Sequence, residues 1–455
     1  LHLCDRRQRQ MCIRDRHSKY NILIPAKGFC IIYNSFTDKF VGLSNRIATE
    51  FNETKDFSEF HYNHKAVFEN LKSLGMIIDD DTNELSIIKS NYDKAVRGDD
   101  SLYIMIYPTQ DCNLKCWYCY ESHVANSLMS PKVMQTTYNA VINKLKTKHY
   151  ESLLIGFFGG EPLTNFDDIA YPLSIRIKEF AESNGIKFST FFVTNASLIN
   201  EDMIGKLHDI NPLFQITLDG TKEKHDSVRI WKKDNKGTYD TIINAVKIIS
   251  NSIKNTFTDD PTVTIRINYD NQTLRKIDSP IADLEGVNKN NVIIHFERVW
   301  QTRHLVDDEQ RELLIDTFRK FINAGYTITH GVFRRKKVSC PSDTHDFMIV
   351  NYNGKLYKCN GRTLTPETSE GLLTDEGGIL WDEEKIRKRI NKPTFDNARC
   401  LNCKILPLCL GPCSQKLLET GQICDNICSL KSIDISLEDY LKMEFEMRYV
   451  LQHCM

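Results

Sequence analysis

From residue 101 onward, short apolar runs alternate with longer segments of helical period. The runs are LYIMIY (102–107), SLLIGFF (152–158), KFSTFFV (187–193), LFQITL (213–218), TVTIRIN (262–268) and VIIHFE (292–297), and each reads as a strand. Between the first two, Ser130 and Pro131 cap and open a helix whose Val133, Met134, Tyr138, Val141, Ile142 and Leu145 recur on one face. Repeated strand–helix units of this length imply parallel strands joined by right-handed crossovers.

Six such units predict an α/β fold built on a partial (β/α)6 barrel of the TIM type, over residues 99–325. In barrels, chemistry sits at the C-terminal ends of the strands. Residues 307–324 add one more helix. Ahead of the barrel, YNILIPAKGFCIIYNS reads as two strands about a Gly turn. HKAVFENLKSLGMIIDDDTNELSII then reads as a helix ended by Gly75, a strand, an acidic turn and another strand. Residues 18–98 thus suit a winged-helix-like module; the alternative is an extension that only packs on its neighbour. Behind the barrel, residues 326–455 carry eight cysteines between Cys340 and Cys428, with Gly and Pro but few periodic segments. Such a domain needs something other than a large apolar core to hold it, and metal is the economical answer. Residues 436–452 predict a closing helix with Ser436 as N-cap. The opening LHLCDRRQRQMCIRDR has no hydrophobic period and no signal-peptide core. It resembles a translated adapter joined to a genuine reading frame, so residues 1–17 are taken as a non-native or disordered tail and Cys4 and Cys12 are set aside.

Composition narrows the function. At 455 residues and 41% hydrophobic content the chain can bury a large core. Net charge is -1, and no basic run is interleaved with aromatics, so nucleic acid is not an expected partner. No apolar run is long enough to span a bilayer, so no membrane is expected either. Fifteen cysteines would scramble under oxidising conditions, and a cytoplasmic location follows. Cys30 and Cys454 have no assigned role.

The chemistry begins at DCNLKCWYCYES, where Cys112, Cys116 and Cys119 follow the first barrel strand directly. Thiolates ligate soft iron–sulfur clusters, and this short loop can turn three sulfurs toward one cubane. The next cysteine is Cys340, so one iron is left without a protein ligand. A zinc site completed by His123, or a disulfide pair, are the alternatives on spacing alone.

This loop resembles the cluster motif of the radical SAM superfamily. The resemblance implies a [4Fe-4S] cluster whose fourth iron is chelated by S-adenosylmethionine, with Tyr118 near the adenine; an ordinary buried ring is the alternative, and suits Trp117. In FFGGEP, glycines permit close backbone approach and a carboxylate suits an ammonium. The family implies that Gly159, Gly160 and Glu161 bind the methionine amino group; a triplet of this kind alone would be just a turn. VTNAS and ITLDG, at two further strand ends, place Asn195 and Thr217 toward the ribose or carboxylate of the cofactor. In TKEKHDSVR, His225, Asp226 and Arg229 match a His-Asp-x2-Arg element of one branch, or are loop salt bridges; the planar fork of Arg229 suits a carboxylate. The implied chemistry is reductive cleavage of the sulfonium to a 5'-deoxyadenosyl radical, which takes hydrogen from a substrate.

A second array follows: Cys340, Gly354, Cys359, then Cys400, Cys403, Cys409 and Cys413, then Cys424 and Cys428. It resembles the SPASM extension of radical SAM peptide-modifying enzymes, which holds two auxiliary [4Fe-4S] clusters. Carried over, one cluster takes Cys340, Cys359 and Cys413, and the other Cys400, Cys403, Cys409 and a late cysteine, Cys428 being favoured over Cys424. A zinc ribbon on Cys400, Cys403, Cys409 and Cys413 is the alternative. Relatives with an extra cysteine shortly after the first differ from CPSDTHD here, so the first auxiliary cluster keeps an open iron or borrows Cys424, Asp343 or His345. Sulfatase-maturing relatives follow the second cysteine with an Asp base; Asn360 stands here, and an amide cannot accept that proton.

The resemblance therefore implies a peptide maturase acting on a ribosomally made precursor, forming a thioether or carbon–carbon cross-link. The N-terminal module would grip a leader peptide by strand addition, and a reductant such as flavodoxin or ferredoxin would supply electrons. An anaerobic sulfatase-maturase-like enzyme, a non-catalytic iron–sulfur peptide-binding partner and an electron-transferring or zinc-stabilised scaffold are the alternatives.

Overall fold

In a computed structural model, the described residues are 15–299, 308–331, 335–431 and 433–449. The chain first forms β1 (Asp15–His17), β2 (Asn21–Pro25), β3 (Phe29–Asn34), β4 (Lys39–Ser44) and β5 (Ile77–Asp79). Strands β2, β3 and β4 make one antiparallel sheet, and β1 pairs β5 in a separate ribbon. Three helices, Asn45–Glu53, Phe57–Asn63 and Lys65–Ser73, lie between β4 and β5. Their apolar faces pack Phe51, Phe57, Phe60, Phe68 and Leu71 into a core of their own.

Two expectations for this region are corrected. Asp15–His17, assigned to the tail, is a strand, and Arg16 reaches Glu84 at 3.5 Å. The strand expected after the acidic turn is instead the helix Glu84–Arg97, capped by Asn83, which accepts from the Ser86 N–H. Its buried Ile88, Tyr92, Ala95 and Val96 recur every three to four residues. Most of that period lies beyond the run LSII, which alone reads equally as a strand.

The barrel follows as β6 (Ser101–Thr109), β7 (Ser152–Gly159), β8 (Lys187–Thr194), β9 (Pro212–Leu218), β10 (Val263–Tyr269), β11 (Val292–Arg298) and β12 (Thr327–His330), parallel and in chain order. All six expected strands are present. The seventh, β12, follows the helix Asp308–Asn323 and lies beyond the expected limit of 325. Four residues reading TITH carry too little apolar pattern to announce it. On the other edge, β13 (Met348–Val350) adds parallel to β6, and β14 (Lys355–Tyr357), β15 (Gly371–Leu373) and β16 (Ile379–Trp381) continue antiparallel. The Cys-rich part thus extends the barrel sheet and leaves the barrel open.

Along β9, Phe214, Ile216 and Leu218 are buried against the helices, while Leu213, Gln215 and Thr217 alternate with them on the other face. The helix Pro131–Leu145 begins as expected, with Ser130 Oγ accepting from the Val133 N–H at 3.3 Å. The closing helix, Leu437–Tyr449, is capped by Ser436, whose Oγ accepts from the Asp439 N–H at 3.0 Å. Residues 450–452 of the expected helix lie outside the described residues. Its Phe445 meets Phe29 and Phe40 of the first sheet, with ring centroids 6.1 and 5.8 Å apart. Among the described residues no helix is long and apolar enough to cross a membrane.

Candidate active site

The pairing of β6 with β7 slips between Ile106 and Thr109, at Pro108, which has no N–H to give the ladder. The chain then turns into the three-cysteine loop. Buried Leu114 anchors that loop, and two backbone bonds zip it to the segment after Arg229: Lys115 N–H to the Ile230 carbonyl at 3.0 Å and Lys232 N–H to the Asn113 carbonyl at 2.9 Å. Asp111 reinforces the zip by accepting from Lys232 Nζ at 2.8 Å.

Cys112, Cys116 and Cys119 line one cavity, open to solvent, at the C-terminal ends of the strands. Tyr118, Gly159, Gly160, Glu161, Asn195, Thr217 and Arg229 line the same cavity, so every residue expected of the first array is gathered there. Burial, with Glu161 second, pushes the Cys112 thiol up to about 12, and burial also raises that of Cys116. Thiols must ionise to bind metal, and these do so only when a cation compensates the burial. A cluster fits that requirement. All described cysteines are free. His123 Nε2 lies 3.4 Å from Cys119 Sγ.

The glycines do structural work first. A Cβ on Gly159, at φ +110°, would lie 2.2 Å from the Thr109 carbonyl oxygen, and one on Gly160 1.8 Å from that of Asp111. Their absence of side chains lets the end of β7 bond the cluster loop, Gly160 N–H to Thr109 and Glu161 N–H to Asp111 at 3.1 and 2.9 Å. Gly160→Ala is therefore expected to displace the loop, and iron analysis of the purified variant should show a loss of about four irons per chain. Glu161 is fully buried. Its carboxylate accepts from Thr194 Oγ1 at 2.6 Å, Asn195 N–H at 2.8 Å and Leu163 N–H at 3.0 Å. Burial raises its pKa, and these bonds oppose that. Asn195 Nδ2 donates to Asn113 at 2.8 Å, tying the end of β8 to the cluster loop.

Arg229 pairs with Asp219 at 2.6 Å and donates to the Tyr118 hydroxyl at 2.7 Å, while Tyr118 donates to Asp219 and Asn268 Nδ2 reaches both. Burial alone would lift the Asp219 carboxyl; Arg229, His225 and the Tyr118 bond hold it below the usual range. The partner of Arg229 is thus the Asp of LDG. Asp226 accepts from the Tyr239 N–H at 2.9 Å and so fixes the start of the helix Tyr239–Ser252. Trp117, expected as a buried ring, is 62% exposed.

His225 is fully buried between Asp219 N–H and Thr238 Oγ1, at 3.3 and 3.1 Å. Burial pushes its pKa from 6.5 down to about 3, with Asp219 opposing. Below pH 6.5 the unfolded chain binds a proton that the folded chain refuses until about pH 3, so stability falls as pH falls through that window. Urea denaturation should show about 1.4 kcal/mol lost one unit below the unfolded pKa, a loss that His225→Gln removes.

The later strands add polar lumen residues that the sequence pattern alone does not mark. Gln215, Arg266, Asn268 and Arg298 also line the cavity. In LFQITL and TVTIRIN their alternation with apolar residues reads as an ordinary solvent face; in a barrel that face is the lumen. Glu121 also lines it, with one carboxylate oxygen unpartnered and its pKa pushed up to about 8 by burial.

The second array falls into two sets. The Cys359 thiol, raised to about 11 by burial, feels Cys413 and Cys340, while that of Cys400, likewise raised to about 11, feels Cys409, Cys403 and Cys428. Cys424 figures in neither set of effects. The segment after Cys359 docks on the first loop: Tyr120 donates to the Asn360 carbonyl at 2.8 Å, and Gln110 Nε2 to that of Leu364 at 3.0 Å.

Residues 106–277 match the radical SAM superfamily. The radical SAM cyclopropyl synthase TigE of Paramaledivibacter caminithermalis is 22% identical over 368 residues, covering 74% of each chain. A cysteine-type anaerobic sulfatase-maturating enzyme of Clostridium novyi is 29% identical over 158 residues, 33% of this chain and 41% of that one. The fold is similar to that of native anSMEcpe with bound AdoMet and Cp18Cys peptide, with a TM-score of 0.55 and 18% identity over 78% of this chain and 100% of that chain.

Proposed function

We propose that this chain, a radical SAM protein of the SPASM and sulfatase-maturase-like group, modifies a ribosomally made precursor peptide by forming a cross-link within it. The group's cofactors are a [4Fe-4S] cluster and S-adenosylmethionine, which together supply an oxidant able to take a hydrogen atom from an unactivated carbon. The observation that carries the proposal is the convergence of Cys112, Cys116 and Cys119 with Glu161, Asn195, Thr217 and Arg229 around one cavity.

In this proposal the three thiolates hold the cluster. Glu161, fixed by its three hydrogen bonds, sets a negative charge beside the ammonium of the methionine moiety. Asn195 and Thr217 orient the ribose or carboxylate, and Tyr118 stands by the adenine. Leu114, Phe158 and Val193 line the cavity with apolar surface that keeps water from the reacting carbon. Gln215 and Arg266 offer polar groups to the backbone of a bound peptide. Cys340, Cys359 and Cys413 hold one auxiliary cluster, and Cys400, Cys403, Cys409 and Cys428 the other. The outer edges of the β2–β3–β4 sheet have no strand partner among the described residues, which suits addition of a leader peptide as a further strand. A low-potential donor such as flavodoxin or ferredoxin completes the partners.

TigE is named a cyclopropyl synthase, and a carbon–carbon product is accordingly favoured over a thioether. Sulfatase maturation is the second proposal, favoured by the relative from Clostridium novyi. Against it, Asn360 offers no base: its amide nitrogen points to Met105 Sδ at 3.7 Å. The test is mass spectrometry of a short Cys-, Gly- or Asn-rich peptide encoded beside this chain, after anaerobic incubation with it. Loss of a pair of hydrogen atoms per modification is expected. An unchanged mass with no deuterium uptake from solvent would refute peptide modification.

A further inference from the structure

Asp343 is completely buried, one of its carboxylate oxygens has no hydrogen-bond partner, and it closes a single turn that begins at Cys340. We infer that this oxygen is the fourth protein ligand of the auxiliary cluster held by Cys340, Cys359 and Cys413. The inference rests on the proposed cluster role of those three cysteines.

Buried carboxylate oxygens without partners are rare and costly, so each demands an explanation. Here the other oxygen is firmly held. Oδ2 accepts from Lys392 Nζ at 2.7 Å and from the Ser339 hydroxyl, so only Oδ1 is left bare. A carboxylate that ligates metal through one oxygen while the other is hydrogen-bonded is a common arrangement, because the second bond fixes the orientation of the first. Position agrees. The Asp343 N–H bonds the Cys340 carbonyl at 3.0 Å, and among charged groups Asp343 acts most strongly on the Cys340 thiol. Lys392 also reaches the Pro412 carbonyl at 3.1 Å, one residue before Cys413.

Of the other residues able to complete the set, His345 is exposed, beside a surface hollow lined by Glu383 and Arg387. Charge balance favours a filled site. Three thiolates and a carboxylate leave a cubane negative, and the fully buried side chain of Lys392 stands near to offset it. With Asp343 bound, every iron of this cluster has a protein ligand. It then offers no position for a substrate thiolate and can act only by passing electrons.

The test uses full-length protein in which Cys112, Cys116 and Cys119 are all Ala, so that only the auxiliary clusters remain, about eight irons per chain. The protein is labelled with carbon-13 at its aspartate carboxylates and reduced, and electron–nuclear double resonance is recorded. A carbon-13 coupling is expected, and it should vanish in Asp343→Cys at unchanged iron content. At about eight irons, no coupling, or a coupling that persists in Asp343→Cys, overturns the ligand assignment alone. An iron content of about four overturns the two-cluster proposal, and this inference with it.

Discussion

Cys116→Ala should abolish 5'-deoxyadenosine formation while leaving the auxiliary clusters in place. The Cys112, Cys116 and Cys119 sulfurs share one loop whose turn is closed by the Cys119 N–H on the Cys116 carbonyl at 3.1 Å. No spare ligand stands ready beside Cys116: the imidazole of His123 lies against Cys119 instead. Two thiolates do not retain a cubane, so the open iron is lost with the cluster. Chemical analysis should find about eight of about twelve irons retained, and chromatography of the reaction should find product at background. Full activity in this variant would contradict the assignment of the loop. Loss of all iron would show that the two arrays fold as one unit.

The largest expected effect on stability comes from Asp219→Ala. Asp219 is 2% exposed and supplies the buried counter-charge for Arg229. Removing one partner of a buried ion pair strands the other in low dielectric, at a cost of about 3–5 kcal/mol. Tyr118 and Asn268 lose an acceptor as well. For a domain of this size the thermal midpoint should fall by roughly 10 °C, measured by scanning calorimetry under anaerobic conditions. The double variant Asp219→Leu/Arg229→Met removes both charges and should recover much of that loss, because neither is then stranded. It should nevertheless bind S-adenosylmethionine poorly, since Tyr118 has lost its anchor. If Asp219→Ala unfolds no earlier than the parent chain, the network is not what holds this side of the cavity.

The parts of the molecule that were legible are those where chemistry demands a fixed spacing or a repeated period. Six barrel strands were readable because each is a compact apolar run between helical segments. The two cysteine arrays stand out in the sequence because thiolate ligands have few substitutes. What stayed hidden depends on which face a residue turns to. Gln215 and Arg266 look like solvent-facing positions until the sheet curls around them. The helix Glu84–Arg97 was hidden because its first turn, rich in Ile and Leu, has no period of its own. Trp117 was misplaced because aromatic character says nothing of exposure in a loop held by backbone bonds and bracketed by metal ligands. The role of Asp219 is not legible in LDG, since a buried ion pair is formed by two chain segments and is written in neither.

The central claim is an iron that the polypeptide leaves uncoordinated, so that S-adenosylmethionine can bind and be cleaved there. The most direct measurement is the yield of 5'-deoxyadenosine from anaerobically reconstituted, fully iron-loaded protein given S-adenosylmethionine and a strong reductant. Equal amounts of 5'-deoxyadenosine and methionine, absent without reductant, are predicted. Intact S-adenosylmethionine at full iron loading would contradict the account.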